Sequence, residues 1–223
     1  KNLEIKKMKT NYFLPLAIIG LLIRIVLSVT TYHQDLGAIT LASHHIVGEG
    51  QWLSFYDNSG KDINKTIFNY QPLAYLIPAV FYSPFANFVS TTAENYVNAD
   101  WQKSFTGSFN FELLFYKFPM ILADILIFFI LGVALKKTAY QKKIQILWAL
   151  NPIAIYVSSV IGQVDIVIAL FLLLAYLALT NNKKYLSIVF VCLSALVKPI
   201  GLILLPFIIR NNKADSKVKI ILS

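Results

Sequence analysis

The chain has 223 residues, of which 57% are hydrophobic and only 14% charged. Ordinary soluble domains carry about 25% charged residues, so a chain this apolar does not keep its whole surface in water. The formal charge of +9 is gathered into clusters between apolar runs. That pattern marks the cytoplasmic flanks of membrane spans rather than a nucleic-acid-binding face, so the expected partner is a lipid bilayer and not nucleic acid.

Lys1, Lys6, Lys7 and Lys9 crowd the start, ahead of an apolar run at 12–30. The run is close to the roughly 20 residues that cross a bilayer as helix. No small-x-small cleavage site follows it, so it reads as a retained span rather than a signal peptide. The basic start sets its N-terminus in the cytoplasm. Residues 31–112 then form a long external loop with few cations. Within it, 72–89 is apolar but is interrupted by Pro72, Pro78 and Pro84. Counting it as a span would put the lysines at 136–143 outside, so it is expected as a helix at the external membrane surface. Asn64-Lys65-Thr66 in the same loop fits the N-glycosylation pattern, which is common by chance.

Further spans are predicted over 113–135, running inward, 144–160, running outward, and 164–179, returning. The short external turn Ile161-Gly162-Gln163 joins the last two. Residues 181–184 are cytoplasmic. Residues 185–209 read as one long tilted span or as two half-helices broken at Lys198-Pro199, and the basic stretch from Arg210 to Lys219 favours two. Cys192 is the only cysteine, which excludes an internal disulfide, and it reads as a packing residue. The expected fold is all-α: a polytopic transmembrane helix bundle with a long external first loop carrying surface helices. It forms one membrane domain over 1–223 and reads as the N-terminal part of a longer protein.

Charges within spans are costly and usually face a cavity or a partner. Arg24 lies in the first span, Lys117 and Asp124 in the second, and Lys198 deep in the last apolar stretch. Lys117 and Asp124 are two helical turns apart, hence on one face and about 10 Å from each other. Separate partners are expected for them, structural for Asp124 and nearer a phosphate for Lys117. Snorkelling is the plainer reading of Arg24 and Lys117. Asp35, just beyond the first span, is a candidate general base, because a carboxylate at the membrane boundary is partly desolvated. Gln163 and Asp165 sit at the external turn, where they cap a helix or line a cavity. His33, His44 and His45 match no tight metal motif, and His44 and His45 are expected on different sides of a helix. No cofactor follows from these residues, and a divalent metal is not indicated.

Four stretches in order resemble the GT-C glycosyltransferases, most of all the bacterial branch related to the second mannosyltransferase of glycosylphosphatidylinositol-anchor synthesis. The first is Asp35, followed by Gly48-Glu49-Gly50-Gln51-Trp52 and Phe55-Tyr56. The second is Asn69-Tyr70-Gln71-Pro72-Leu73, where Gln71 replaces the first of two usual prolines. The third runs from Lys117-Phe118-Pro119 to Ala123-Asp124. The fourth is Asn151-Pro152, Gly162-Gln163-Val164-Asp165 and Lys198-Pro199, with Ile200 where a glutamine often follows. The resemblance implies inverting transfer of a sugar, mannose by analogy, from a polyprenyl-phosphate donor to a hydroxyl of a glycan, lipid or protein acceptor. It implies a plasma-membrane enzyme working on the external face, with Asp35 as general base. Cations stabilise a departing phosphate, which makes Lys198, Lys117 and Arg24 candidate donor-binding residues. Gln163 and Asp165 are candidates for the sugar hydroxyls, and Tyr70 joins the substrate-binding set. The rival reading is a transporter or flippase of lipid-linked sugars. That class commonly shows matching broken helices in two halves, and the sequence suggests one break, at Lys198-Pro199.

Overall fold

The computed structural model describes residues 12–61, 67–86 and 111–210. The glycosylation pattern at Asn64, the end of the expected surface helix and the basic segments at both ends of the chain lie outside those residues.

Every regular element described is helical. The first, α1 (Phe13–Thr30), is followed by α2 (Asp35–Ser43), which widens into a π-helical turn over His44–Gly48. α3 (Pro72–Tyr82) starts with a proline at its first position, where a missing N–H costs nothing. α4 (Phe111–Ala134) is the longest element, at 24 residues, about 36 Å by helical rise. These two, α1 and α4, are long and apolar enough to cross a bilayer.

The expectation of one span over 144–160 gives way to a bent pair. α5 (Gln141–Ala149) stops before Asn151, whose side-chain oxygen accepts from the backbone N–H of Ile153 at 2.9 Å and of Ala154 at 3.3 Å. That cap starts α6 (Pro152–Ile155), which continues as a π-helical turn over Tyr156–Ile161. Pro152 cannot donate back into α5. The two pieces meet at 40° and make a third crossing only if they count as one broken span. Two breaks therefore interrupt the apolar stretches, one at Asn151-Pro152 and one at Lys198-Pro199, where the sequence suggested only the second.

α7 (Asp165–Thr180) has 16 residues, about 24 Å, short of the roughly 30 Å hydrocarbon core. It pairs with α8 (Lys184–Ala195) as a tight hairpin. Beyond Lys198, a 3₁₀ segment over Pro199–Leu204 and then α9 (Leu205–Arg210) pack back on α8. The stretch 185–209 is thus two segments and not one long span. Cys192, expected to pack, is exposed on α8, while its neighbours Val191 and Ser194 face inward.

The largest core lies where α2 and α3 meet α4 and the start of α7. Leu36, Ile39, Tyr75, Tyr116, Met120 and Val167 are all buried there. The apolar residues of α3 therefore face protein on one side, through Tyr75, Ala79 and Tyr82. This packing fastens the segment after α1 to the helices that carry the remaining polar residues.

Candidate functional site

α1 ends at Thr31, whose extended backbone turns the chain into α2. Asp35 begins α2, where the helix N-terminus favours a carboxylate. Its side chain is 37% exposed, so it is open to a ligand. One oxygen, Oδ2, accepts a hydrogen bond from Gln163 Nε2. His33 lies on the other side. Its Nδ1 accepts from the Asp35 backbone N–H at 3.2 Å and stands 3.7 Å from Oδ1. Accepting that bond leaves Nδ1 unprotonated, so in this arrangement His33 orients the start of α2 and does not form an ion pair.

Gln163 reaches Asp35 because the turn before it is sharp. Gly162 ends the π-helical turn with φ of 75°, a left-handed conformation that suits glycine. Gln163 is only 7% exposed. Its Oε1 faces the ammonium of Lys198 at 3.5 Å. Lys198 also forms an ion pair with Asp165 Oδ1 at 2.8 Å, with the two side chains 20% and 47% exposed. The residue before a proline avoids helical backbone, and Lys198 is extended at φ −148°, ψ 143°. The break thus turns its side chain out of the hairpin toward Asp165.

Tyr70 completes the group, its ring 4.4 Å from the ammonium. The backbone holds that ring in place. Tyr70 O accepts from the Tyr56 hydroxyl at 2.6 Å, and Leu73 N–H donates to Leu196 O at 2.9 Å. The second bond ties the segment before α3 directly to the Lys198 break. Five residues singled out from the sequence, Asp35, Tyr70, Gln163, Asp165 and Lys198, therefore meet in one partly open cluster.

Lys117 and Arg24 lie elsewhere. Lys117, expected near a phosphate, is fully buried. Its ammonium donates to Thr31 O at 2.6 Å, to Ser159 O and Val160 O at 2.9 Å each, and lies within 3.3 Å of Ser28 O and Thr31 Oγ1. A lysine has three N–H donors, and here backbone oxygens take them all. The ammonium clasps the end of α1 to the π-helical turn. Arg24, a weaker phosphate candidate, is also buried. It donates through Nε to Asp124 at 2.7 Å and through Nη1 to Gly20 O and Ala149 O at 2.9 Å each. Asp124 further accepts from Trp148 Nε1 at 2.9 Å and Ser158 Oγ at 2.8 Å. Desolvated charges need such partners; Lys117 finds them in backbone oxygens and Arg24 through Nε and Nη1, while Arg24 Nη2 is buried without a hydrogen bond.

Sequence reasoning missed Ser158, Ser159, Thr31 and Trp148 as partners. The two serines carry a signal, being adjacent polar residues inside an apolar run. Nothing local marks Thr31. The histidines also differ from expectation. His45 Nδ1 lies 2.9 Å from Glu49 Oε2 and His44 Nε2 3.9 Å from Glu49 Oε1. The widened π turn brings both toward one carboxylate, where a regular helix would have separated them. Among the described residues, no group of three or more histidine, cysteine, aspartate or glutamate side chains is placed to hold a metal ion. No family model, curated protein or solved structure matches the chain.

Proposed function

We propose that the protein is a multi-pass plasma-membrane glycosyltransferase that takes a sugar from a polyprenyl-phosphate donor, inverting its anomeric configuration on the external face. The observation that supports this reading is the cluster itself: a half-exposed carboxylate linked through Gln163 to an ammonium that is seated on an aromatic ring. Asp35 takes the proton of the acceptor hydroxyl. The oxygen's electron pair attacks the anomeric carbon, the bond from that carbon to the phosphate oxygen breaks, and the electron pair leaves with the lipid phosphate. Lys198 has three donors, of which Asp165 holds one at 2.8 Å and Gln163 only a long one at 3.5 Å. It can therefore turn an N–H to the departing phosphate, where added charge is stabilised. In this reading Gln163 and Asp165 hold sugar hydroxyls, and the acceptor is a glycan, lipid or protein hydroxyl. Lys117 and Arg24 take no part in donor contact, since both are buried away from the cluster.

The test is transfer of labelled mannose from a polyprenyl-phosphate donor by the full-length protein in proteoliposomes. Losing a general base costs about 10²- to 10⁴-fold in rate. Asp35→Asn should show that loss in turnover with folded yield unchanged, and wild-type turnover in that variant would exclude Asp35 as base.

The second break, at Asn151-Pro152, favours one other reading. Paired broken helices suit a transporter or flippase of lipid-linked sugars. In the same vesicles, movement of a fluorescent lipid-linked sugar with no transfer would put transport in place of transfer.

A further inference from the structure

An apolar cavity of about 400 Å³ opens between α4 and α7, lined by Phe129, Ile130, Val133, Ala134, Leu174 and Leu177, with Asn181 at one end. That volume falls in the range of about 300–1,000 Å³ seen for ligand sites. It lies away from the Asp35 cluster. Ala134 is the last residue of α4, and Asn181 follows the last residue of α7. Both helices therefore end at the cavity's rim. The chain turns sharply after each, with Lys136 N–H donating to Val133 O at 3.3 Å and Lys183 N–H to Ala178 O at 2.8 Å. Those turns carry Lys136, Lys137 and Lys183, all exposed. Three exposed lysines thus follow the lining residues Ala134 and Asn181 by two or three positions, on two separate turns, and their charge outweighs the partial negative charge of the two helix C-termini there.

We infer that the slot holds one acyl chain of an anionic phospholipid, with the headgroup phosphate held by the lysines of the two turns. Apolar side chains hold the tail by van der Waals packing, and the lysines select the headgroup. Basic pockets between membrane helices bind anionic headgroups in this way. A zwitterionic lipid fits the slot equally but gains nothing net from the lysines. Each engaged lysine near the surface accounts for about a fivefold preference.

Quenching by spin-labelled lipids tests this. The full chain, with Cys192→Ser and Val133→Cys, carries a bimane at position 133 and is reconstituted in phosphatidylcholine vesicles. Five-doxyl phosphatidylglycerol or five-doxyl phosphatidylcholine is added at equal mole fraction. The control label is at Leu14, exposed on α1. Leu14 lies near the same end of α4, because the adjacent Phe13 ring lies tilted against Phe128 at 5.1 Å and Phe129 at 5.4 Å. The expected result is quenching at position 133 at least about fivefold more effective for phosphatidylglycerol, no such preference at 14, and loss of the preference in a Lys136→Gln, Lys137→Gln, Lys183→Gln triple variant. In that variant phosphatidylcholine should still quench, which reports that the slot persists. Equal quenching by both lipids at 133 overturns the inference, as does an equal preference at 14, which would indicate general surface attraction. Absence of quenching by either lipid also overturns it, since the slot would then be closed to lipid.

Discussion

Asp35, Gln163, Lys198 and Asp165 form a line in which each charge already has a neighbour, and this sets what each substitution can do. Lys198→Met removes the ammonium of this cluster and leaves Asp35 in place. A charge-assisted hydrogen bond is worth about 1.5–3 kcal/mol, so the donor KM should rise about tenfold or more while turnover at saturating donor changes less. Steady-state kinetics over a donor series check this, and an unchanged KM with collapsed turnover would assign Lys198 to the chemical step. Below the cluster the charges act on stability. Asp124 accepts from Arg24, Trp148 and Ser158 at once. Asp124→Asn leaves the Arg24 guanidinium buried without its counter-charge, at a cost of about 3–5 kcal/mol. Folded yield in detergent should fall sharply, with turnover per folded molecule near wild type. Normal yield with lost turnover would move Asp124 into the catalytic machinery.

At the scale of elements, the π-helical turn and the glycine behind it decide whether Gln163 meets Asp35. A Cβ on Gly162 would stand 2.9 Å from Lys117 Cγ and 3.1 Å from Leu36 Cδ1. The left-handed backbone adds about 1–2 kcal/mol for a non-glycine residue. Gly162→Ala should therefore lower the thermal midpoint and also weaken transfer, because the turn must shift away from Lys117 and α2. Gly60→Ala is the matched control, with φ of 74° and open space around it. Only the backbone cost applies there. Equal loss of stability in the two variants, read by thermal unfolding, would show that the packing against Lys117 is not what fixes the turn. The Lys117 clasp belongs to this scale too. It joins two helix ends, where carbonyls lack intrahelical partners, and those ends precede Asp35 by four residues and Gln163 by three.

For the whole molecule, the proposed orientation has a direct consequence. Leu53 is 95% exposed, in the segment between α2 and α3. In a Cys192→Ser background, Leu53→Cys should react with an impermeant thiol reagent on intact cells, and Lys137→Cys should react only after permeabilisation. The opposite pattern would turn the Asp35 cluster to the cytoplasm and remove the external-face mechanism.

Local pattern was enough for much of this molecule. The lengths of the apolar runs located α1 and α4, and the expense of charge in an apolar segment singled out Arg24, Lys117, Asp124 and Lys198. Proline next to lysine marked the break at Lys198. Asn151-Pro152 stood in plain view as a helix cap and a missing donor, yet the apolar run around it read as continuous, since hydropathy does not register a lost hydrogen bond. What no local pattern carries is pairing across the chain. Arg24 and Asp124 are separated by 100 positions, and Asp35 and Gln163 by 128. Whether a buried cation meets a carboxylate, a cage of carbonyls or a ligand depends on which helices pack together. That choice buried Lys117 among carbonyls and set Lys198 within the cluster, although both are lysines beside prolines or aromatics in apolar stretches. The sequence by itself determined which segments are apolar enough for a membrane and which charges must find partners there. Tertiary packing alone decided the partners, because desolvation makes pairing obligatory without specifying the pair.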